Sequence, residues 1–307
     1  PVIASDQISK TSVYYTPDKG NSIPIWNGNR MVPFTFGEMT LDLVAAHAAN
    51  AIYDVFMWVE SGTLTIGTGP VWSTITEGIG YRGAGAGTTE LVRKGGLYVN
   101  NVAMTARNGN TTYSVAANLA TYVGSIFIDA SAGQVTCHRS AGLTRKWGVW
   151  NAYNKRNITL KCTDTSTSSW TYNATTIRQS NANAGNLLKS FCGLADEHIE
   201  ATFTQSAGRD TESYGPLAFR TGIGVNTTTA FSGMTGRVID QPNTADAIGS
   251  KVFFTTKAEH ILAPAAGVQN IASIEVADTS TAGSTPGGLP TFYGTEGDML
   301  LKAVWRG

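Results

Sequence analysis

The chain has 307 residues, and its 22 lysine and arginine residues balance its 22 aspartate and glutamate residues, so the formal net charge is zero. A neutral chain has no long-range field that would attract nucleic acid or an anionic membrane surface. Charged residues make up only 14% of the sequence, against about 25% in an ordinary soluble domain. This composition predicts a polar, uncharged surface of the kind that neighbouring subunits cover, and the 42% of hydrophobic residues excludes a disordered chain.

The first 37 residues predict short strands that turns separate. Strands are expected at residues 12–15, 23–26 and 31–36, with PDKGN (17–21) as a turn. The last two strands would pair across Asn27 and Gly28, because both residues accept the positive φ of a tight hairpin. The opening of the chain is therefore expected to be β-structure.

Residues 38–53 are the one helix candidate in the sequence. Apolar residues spaced three or four apart would share one face of such a helix: Leu41, Val44, Ala45, Ala48 and Ile52. A strand, a loop and a second strand form the alternative, because residues 55–59 have an extended pattern without a helix start signal. Residues 63–66 are then expected to pair back across Ser61 and Gly62.

Two glycine-rich segments follow, GTGPVW (67–72) and RGAGAGTTE (82–90). The second invites comparison with a phosphate-binding loop, which needs GxxxxGK followed by serine or threonine, or GxGxxG between a strand and a helix. Residues 83–89 have neither the lysine nor the third glycine at the position that these motifs require, and no helix pattern follows them. We therefore expect a surface or interface loop here.

The remaining chain predicts many short strands with turn signals at the spacing typical of sandwiches and barrels. A hairpin of residues 97–106 and 111–115 is expected about Asn108 and Gly109. Further strands are predicted at 121–128, 134–138, 169–172, 175–178, 187–191, 198–203, 217–225, 251–255, 271–276, 291–293 and 299–305. In strand 198–203 the side chains of Ile199, Ala201 and Phe203 should point inward. No fixed-period repeat is present, which argues against a β-helix or propeller.

The segment 145–162, RKWGVWNAYNKRNITLKC, concentrates aromatic and basic residues at the middle of the chain. Trp147, Trp150 and Tyr153 are three apart, as in one helical turn, and a period-two strand follows at residues 158–162. Large aromatic residues anchor the contact between layers, so this segment is predicted to join two halves. The alternative is a core strand within a single domain.

The predicted fold class is therefore all-β. Residues 1–144 would form a β-rich N-terminal domain and residues 145–307 a C-terminal β-sandwich, of which a jelly roll is one form. Trp147 and Trp150 are expected to be structural residues of the joint between these domains.

The cysteines and histidines predict neither a disulfide framework nor a metal site. The chain has an odd number of cysteines, Cys137, Cys162 and Cys192, and no two of them form a CxxC pair. Three buried thiols are therefore expected rather than one disulfide and a spare thiol. The four histidines are His47, His138, His198 and His260. Only Cys137 and His138 are close in sequence, and adjacent side chains of a strand point to opposite faces. No apolar run approaches the ~20 residues that span a bilayer, and no secretory leader is visible.

Enzymatic motifs are also not found, so no catalytic, cofactor-binding or metal-binding residue is expected. No GxSxG elbow is present. A glycosidase needs two facing carboxyl groups, for which the candidates are Asp196, Glu197, Asp240 and Asp246. Solvated loop carboxylates are the commoner case, and the segment SAGRDTESY (206–214) is expected to be an exposed loop.

Taken in order, a series of motifs resembles a family of tailed-bacteriophage virion proteins. The opening YYTPDKGNSIPIWNG (14–28) resembles the YYTP, GN and NG start of a module in tail-fibre and related proteins, and the ending TFYGTEGDMLLKAVWRG (291–307) resembles their last strands. Between these lie FTFGEMTLDL (34–43), IYDVFMW (52–58), GTGPVW (67–72), GAGAGTTEL (83–91), KWGVWNAYN (146–154) and SWTY (169–172). The likeness covers nearly the whole chain.

This resemblance implies that the chain is a structural protein of the virion that contacts the host. It implies no catalytic residues. The expectation is a tail fibre, spike or baseplate component, assembled in the bacterial cytoplasm, without enzymatic activity or cofactor. A capsid decoration or head-spike protein and a tailspike polysaccharide depolymerase are the alternatives. Fibre-like proteins of this family usually form assemblies with threefold symmetry, so a homotrimer is expected. Its partners would be other virion proteins and a host cell-surface glycan, with neither nucleic acid nor membrane insertion.

Three long irregular segments of the C-terminal half are the expected host-contact loops, at residues 205–215, 227–250 and 277–290. Loops carry recognition while a sandwich supplies rigidity. They contain Tyr214, Phe231 and several aspartate and asparagine residues, and an apolar face with hydrogen-bonding groups suits a neutral sugar. No individual ligand-binding residue is assigned from the sequence.

Overall fold

The computed structural model describes residues 5–73, 80–82, 90–139, 145–164, 166–209, 217–240, 252–278 and 290–307. Within these ranges the regular elements are strands and one 3-10 turn, Ser180–Ala182, with no α-helix. The predicted all-β class is therefore confirmed. The strands are β1 (Gln7–Lys10), β2 (Ser12–Tyr15), β3 (Ser22–Trp26), β4 (Met31–Thr35), β5 (Met39–Asp42), β6 (Ile52–Glu60), β7 (Thr63–Val71), β8 (Leu91–Lys94), β9 (Leu97–Asn100), β10 (Met104–Asn108), β11 (Thr111–Val115), β12 (Thr121–Phe127), β13 (Val135–His138), β14 (Arg145–Trp147), β15 (Val149–Asn151), β16 (Asn157–Cys162), β17 (Ser169–Thr171), β18 (Arg178–Gln179), β19 (Leu187–Cys192), β20 (Ile199–Arg209), β21 (Leu217–Val225), β22 (Gly236–Asp240), β23 (Val252–Leu262), β24 (Gly267–Ala277), β25 (Thr291–Tyr293) and β26 (Met299–Arg306).

Three predicted hairpins are confirmed, and each turn contains a residue with positive φ. Strands β3 and β4 pair across a turn with Gly28 at φ 98°, and β10 and β11 pair across Gly109 at φ 56°. Between β6 and β7, Ser61 and Gly62 adopt φ values of 48° and 83°. Two successive positive values match the right-handed twist of the flanking strands.

The helix candidate at residues 38–53 is wrong, and the strand–loop–strand alternative is confirmed. Strand β5 ends at Asp42, and β6 begins at Ile52. Between them His47 is fully buried and fixes a turn, since its Nδ1 accepts the Val44 N–H at 3.1 Å. The first seven residues of β6 are all buried, so both faces of the strand are covered and an apolar residue at every position is tolerated.

The helical turn suggested by the spacing of Trp147, Trp150 and Tyr153 is also wrong. These residues belong to two short strands, β14 and β15, and to the segment that follows them. Trp147 and Trp150 are buried, whereas Tyr153 is 44% exposed. The two tryptophans lie on strands of different sheets, so the equal spacing reflects no common helical face.

Three sheets make up most of the fold. The first has the order β1-β13-β14-β19-β24-β21-β22 with β18 beside β24, and the second has the order β11-β10-β7-β6-β12-β9-β8 with β15 beside β12. The third has the order β16-β26-β20-β25-β17 with β23 beside β20. The β2–β5 and β3–β4 pairs form separate two-stranded sheets. Only the β14–β19 pair is parallel among the described strands.

The first and third sheets form a sandwich in the C-terminal half. The ring of Phe219 on β21 lies 5.3 Å from that of Phe292 on β25. Ile199, Ala201 and Phe203 on β20 are buried while Glu200 is exposed, which confirms the predicted alternation. One core cluster also includes residues from both sides of position 145, among them Phe56 and Leu301. The division into domains 1–144 and 145–307 stays a prediction.

Two of the predicted host-contact loops contain strand. Gln205 to Arg209 belong to β20, which pairs with β23 from Ile199 to Arg209, so the prediction of irregular structure there is wrong. Strand β22 likewise interrupts the segment 227–250. Residues 210–216, 241–251 and 279–289 lie outside the described residues, as do Tyr214, Asp246 and the glycine-rich segment 83–89.

The three cysteines are free and buried, as predicted. Burial raises the thiol pKa of Cys137 and Cys192 to about 12 and that of Cys162 to about 11. These thiols are therefore protonated, and because the thiolate is the nucleophile they act as small apolar side chains. No helix among the described residues is long and apolar enough to span a membrane.

Glu275 is a fully buried carboxyl group between the sandwich sheets. Its oxygens accept hydrogen bonds from Trp170 Nε1 at 2.8 Å, Arg178 Nε at 2.9 Å and the Asn181 N–H at 3.1 Å. Burial raises its pKa to about 7 in spite of these donors. The ionised form therefore carries a cost in the folded state that is absent from the unfolded chain.

This shift predicts a stability that falls as the pH rises. A folded pKa above the unfolded value contributes stability that is fully present below about pH 4 and is lost as the pH rises through about 7. Denaturant unfolding at about pH 5 and pH 8 should show the loss, and Glu275→Gln should flatten it. The exposed Glu200→Gln is the matched control. A parent protein that gains stability over this range would show that the Arg178 ion pair outweighs burial.

Candidate functional site

A groove of about 800 Å³ lies between the N-terminal strands β1 and β2 and strands β13 to β16. This volume is within the range of small-ligand sites in proteins, roughly 300–1,000 Å³. One wall is formed by residues 5–18, which we call the N-terminal strap. The opposite wall and the floor come from the segment around Trp147 and Asn151.

The first end of the strap is held by polar contacts with strand β13 and the residue after it. The carboxylate of Asp6 lies 3.4 Å from His138 Nε2 and accepts the Arg139 N–H at 2.9 Å. The Ser9 N–H donates to Thr136 Oγ1 at 3.1 Å. Ser9 itself has φ 53°, at an irregularity in the pairing of β1 with β13. The strap can therefore leave the first sheet while its start stays attached.

The second end of the strap is attached to the far side of the groove. Asp18 accepts a hydrogen bond from Asn154 Nδ2 at 2.8 Å and forms an ion pair with Arg156. The hydrogen bond from Asn154, followed by the attraction of Arg156, lowers the pKa of Asp18. Thr16 donates to Glu38 Oε2 at 2.8 Å. With both ends held, the groove is formed before any ligand arrives.

The floor of the groove is apolar. It consists of Val135, Cys137, Trp147 and Ile158, all of which are buried. The Arg139 guanidinium lies 5.4 Å from the Trp147 ring centroid, a cation–π contact that holds the indole in place. A rigid apolar floor can receive the apolar face of a ligand without rearrangement.

Two adjacent tyrosines on β2 differ in their surroundings. Tyr15 packs against Phe36 with ring centroids 5.5 Å apart, and burial raises its pKa. Tyr14 is 60% exposed and lines the groove. Successive side chains of a strand point to opposite faces, so packing fixes one tyrosine and leaves the other available to a ligand.

Amide groups supply hydrogen-bonding capacity at the rim. Asn151 Oδ1 accepts the N–H groups of Tyr153 at 3.0 Å and Asn154 at 2.8 Å, which fixes its orientation. Its Nδ2 has no hydrogen-bond partner among the described residues. An amide turn of this type occupies the acceptor and leaves the two N–H donors for a ligand.

Most of the described residues that line the groove have uncharged side chains. Glu38 is the only carboxylate among the described residues that line it, whereas glycoside hydrolysis uses a facing pair. No group of three or more His, Cys, Asp or Glu side chains suited to a metal ion occurs within the described ranges.

Three of the four carboxylates considered from the sequence form ion pairs, and the fourth, Asp246, lies outside the described residues. Asp196 and Glu197 both bind Lys155 Nζ, at 2.7 and 2.9 Å. Asp240 Oδ2 lies 2.6 Å from Arg209 Nη2. Asp240 therefore has a different ion-pair partner from Asp196 and Glu197.

The sequence patterns did not identify the residues of the groove as a binding site. Tyr14, Asn151 and Asn154 lie within the YYTP and KWGVWNAYN motifs, which carried the family resemblance without a role for single residues. Phe231, which was expected on a contact loop, is instead half-buried, and the Arg220 guanidinium lies 5.4 Å from its ring centroid. The YYTP and KWGVWNAYN motifs were the only signal in the sequence for these residues, but no local pattern shows that the two motifs line the same groove.

Comparison with known proteins identifies no family. No family model matches the chain, and no curated protein matches it. Three solved structures align with the chain at low similarity. An insecticidal delta-endotoxin from Bacillus thuringiensis is 10% identical to this chain, with a TM-score of 0.26. The alignment covers 97% of this chain and 52% of the endotoxin, so the chain spans about half the length of the endotoxin. The other two structures are of viral proteins.

The viral structures are those of infectious bursal disease virus, Gt strain, and of the VP2 subviral particle of the same virus. Identities are 9% and 10%, and both TM-scores are 0.25. The aligned regions cover 100% and 99% of this chain and 80% and 81% of those chains. Similarity at this level carries no argument about function.

Proposed function

We propose that this protein is a non-enzymatic structural component of a tailed-bacteriophage virion, located in a tail fibre, spike or baseplate, which contacts the host surface. The observation that carries the proposal is the ordered run of motifs resembling that family. The fold is consistent with a scaffold role, since IYDVFMW (52–58) is the buried part of β6 and the ending 291–307 supplies β25 and β26. These strands form the interior of the protein.

The first experiment determines where the protein resides. Mass spectrometry of gradient-purified virions should detect the chain at a constant ratio to the major tail proteins. Cryo-EM of the same particles should place its density at the tail. Density on the capsid would favour the decoration-protein alternative, and absence of the chain from purified virions would refute the proposal.

The second experiment addresses the depolymerase alternative. The purified protein should release no reducing ends from host capsular or lipopolysaccharide preparations over a long incubation. The ion-paired state of Asp196, Glu197 and Asp240 supports this expectation. Measurable turnover would replace the non-enzymatic proposal with the polysaccharide depolymerase.

A homotrimer is part of the proposal, and exposed apolar side chains support it. Phe253 is 55% exposed and Ile261 66% exposed; eight positions apart on β23, they share one face of the strand. Met234 and Ile239 are 64% and 54% exposed. The residues between Phe253 and Ile261 on that face of β23 are Thr255, Lys257 and Glu259. Exposed apolar residues on a strand that pairs only with β20 among the described strands favour contact with other chains.

Light scattering after size exclusion should give three times the 32.4 kDa chain mass. Replacing Phe253 and Ile261 together with serine should shift the population towards monomer, because the exposed strand loses its apolar contacts. Val71→Ser, at a residue 44% exposed on β7, is the control and should leave the mass unchanged. A monomeric parent protein at micromolar concentration would refute the trimer.

A further inference from the structure

The groove under the N-terminal strap combines an exposed aromatic ring, a free amide donor and an apolar floor. We propose that it binds a short oligosaccharide, with Tyr14 as the stacking platform and Asn151 as a hydrogen-bond donor. This inference rests on the proposed function, because it assumes that the saccharide belongs to the host surface. It places host recognition in the N-terminal half, away from the C-terminal loops considered from the sequence.

The first step in the argument is the aromatic surface. A sugar ring presents an apolar face of C–H groups and an edge of hydroxyl groups, and aromatic side chains supply contact area at little entropic cost. Tyr14 is 60% exposed, while the adjacent Tyr15 is held by Phe36. Strand β2 is therefore fixed, and the free ring stands on a rigid element.

The second step is the hydrogen-bonding group opposite that ring. Both N–H groups of Asn151 Nδ2 are available because its Oδ1 is occupied by the turn at Tyr153 and Asn154. Amide donors and hydroxyl acceptors are complementary. The donor belongs to β15, which pairs with β12 in the second sheet, so its position is set by the core.

The third step is the charge of the groove. Arg156 is neutralised by Asp18, and Glu38 accepts the Thr16 hydroxyl. Lys10 is an exposed cation at the rim, where a single ion pair contributes little. A polyanion would therefore find no concentrated positive field, while an uncharged ligand avoids the cost of desolvating a charge, places its C–H face on the apolar floor and needs hydrogen bonds only for its hydroxyl groups.

The test starts with an array of bacterial O-antigen and capsule oligosaccharides probed with the full chain, followed by calorimetric titration of the best-binding oligosaccharide. Tyr14→Ala should weaken binding by about tenfold, the effect of losing roughly 1.4 kcal/mol of contact. Tyr81→Ala is the matched control, because Tyr81 is also 60% exposed but lies outside the groove.

A second variant tests the amide without disturbing the turn. Asn151→Asp keeps the Oδ1 acceptor for Tyr153 and Asn154 but removes the Nδ2 donors, so binding should again fall by about tenfold. Asn29→Asp adds the same charge on the exposed β3–β4 turn and should leave binding unchanged. Circular dichroism should show that all four variants are folded.

Two outcomes would overturn the inference. One is the absence of binding to every oligosaccharide on the array; the other is binding that neither Tyr14→Ala nor Asn151→Asp weakens. If the chain is present in purified virions but binds no sugar, the proposed function stands and the groove assignment fails. If it binds sugar but is absent from virions, the groove assignment stands and the proposed function fails.

Discussion

Replacing Trp150 with alanine should lower the free energy of unfolding by about 3–5 kcal/mol, the range for a large aromatic residue removed from a core. Trp150 is 1% exposed, and its ring stacks on Tyr122 with centroids 6.4 Å apart. A Cβ on Gly193 would lie 2.6 Å from Trp150 Cε3, which shows how closely β19 approaches. The neighbours therefore have little freedom to fill the cavity.

Replacing Trp150 with phenylalanine instead of alanine separates the contribution of packing to stability from that of hydrogen bonding. The buried Trp150 Nε1 has no hydrogen-bond partner among the described residues, so Trp150→Phe loses part of the ring and no hydrogen bond. Trp170 Nε1, in contrast, donates to both carboxylate oxygens of Glu275, at 3.0 and 2.8 Å. Trp170→Phe should therefore cost about 1–3 kcal/mol more than Trp150→Phe.

Denaturant unfolding of the parent and the three variants measures these differences. Equal losses for the two phenylalanine variants would contradict the role given to the Trp170–Glu275 hydrogen bonds. A Trp150→Ala protein as stable as the parent would contradict the burial of Trp150 in the core. In an alanine variant that still folds, saccharide binding should be unchanged, because Trp150 is not among the residues that line the groove of about 800 Å³.

Turns were predictable from the sequence because their signals are local. The φ value of a turn depends on the residue at that position, so Gly28, Gly62 and Gly109 were sufficient to locate three hairpins. The same holds for residue alternation on β20, where neighbouring side chains point to opposite faces. Short-range rules therefore predicted most strands correctly.

Strand length and the helix candidate depended on contacts that the sequence does not show. Strand β20 continues to Arg209 because β23 pairs along its whole length, although residues 206–209 resemble a loop by composition. At residues 38–53, apolar residues three or four apart fit a helix face. In the structure only Leu41 and Ile52 of these residues lie in strands, and the pairing of β5 with β2 and of β6 with β7 and β12 decides the outcome.

The groove could not have been predicted from local pattern. Its strap is attached through Ser9 to Thr136, 127 positions away, and through Asp18 to Arg156, 138 positions away. Each partner is an ordinary polar residue in its own segment. Only the sheet order, which brings β1 beside β13, makes these residues neighbours.

Asp54 is the centre of a buried polar cluster, and its removal should be as costly as that of Trp150. The carboxylate is fully buried and accepts hydrogen bonds from Arg82 Nε at 2.6 Å and Ser125 Oγ at 2.6 Å. Arg82 also donates to the Gly193 carbonyl and lies 4.3 Å from the Trp72 ring centroid. The cluster thus connects the second sheet with the end of β19.

Asp54→Ala should lower the free energy of unfolding by about 3–5 kcal/mol, because it leaves the Arg82 charge, on a side chain that is only 15% exposed, without its partner. Replacing both residues, with Asp54→Leu and Arg82→Met, should recover most of this loss, since no buried charge is then left unpaired. The exposed Arg306, which lies 3.9 Å from Glu197, is the control; Arg306→Ala should change stability by no more than about 1 kcal/mol. Denaturant unfolding would contradict this account if the double variant were less stable than Asp54→Ala. That result would mean that the shape of the ion pair, through its contacts with Trp72 and Gly193, matters more than its charge.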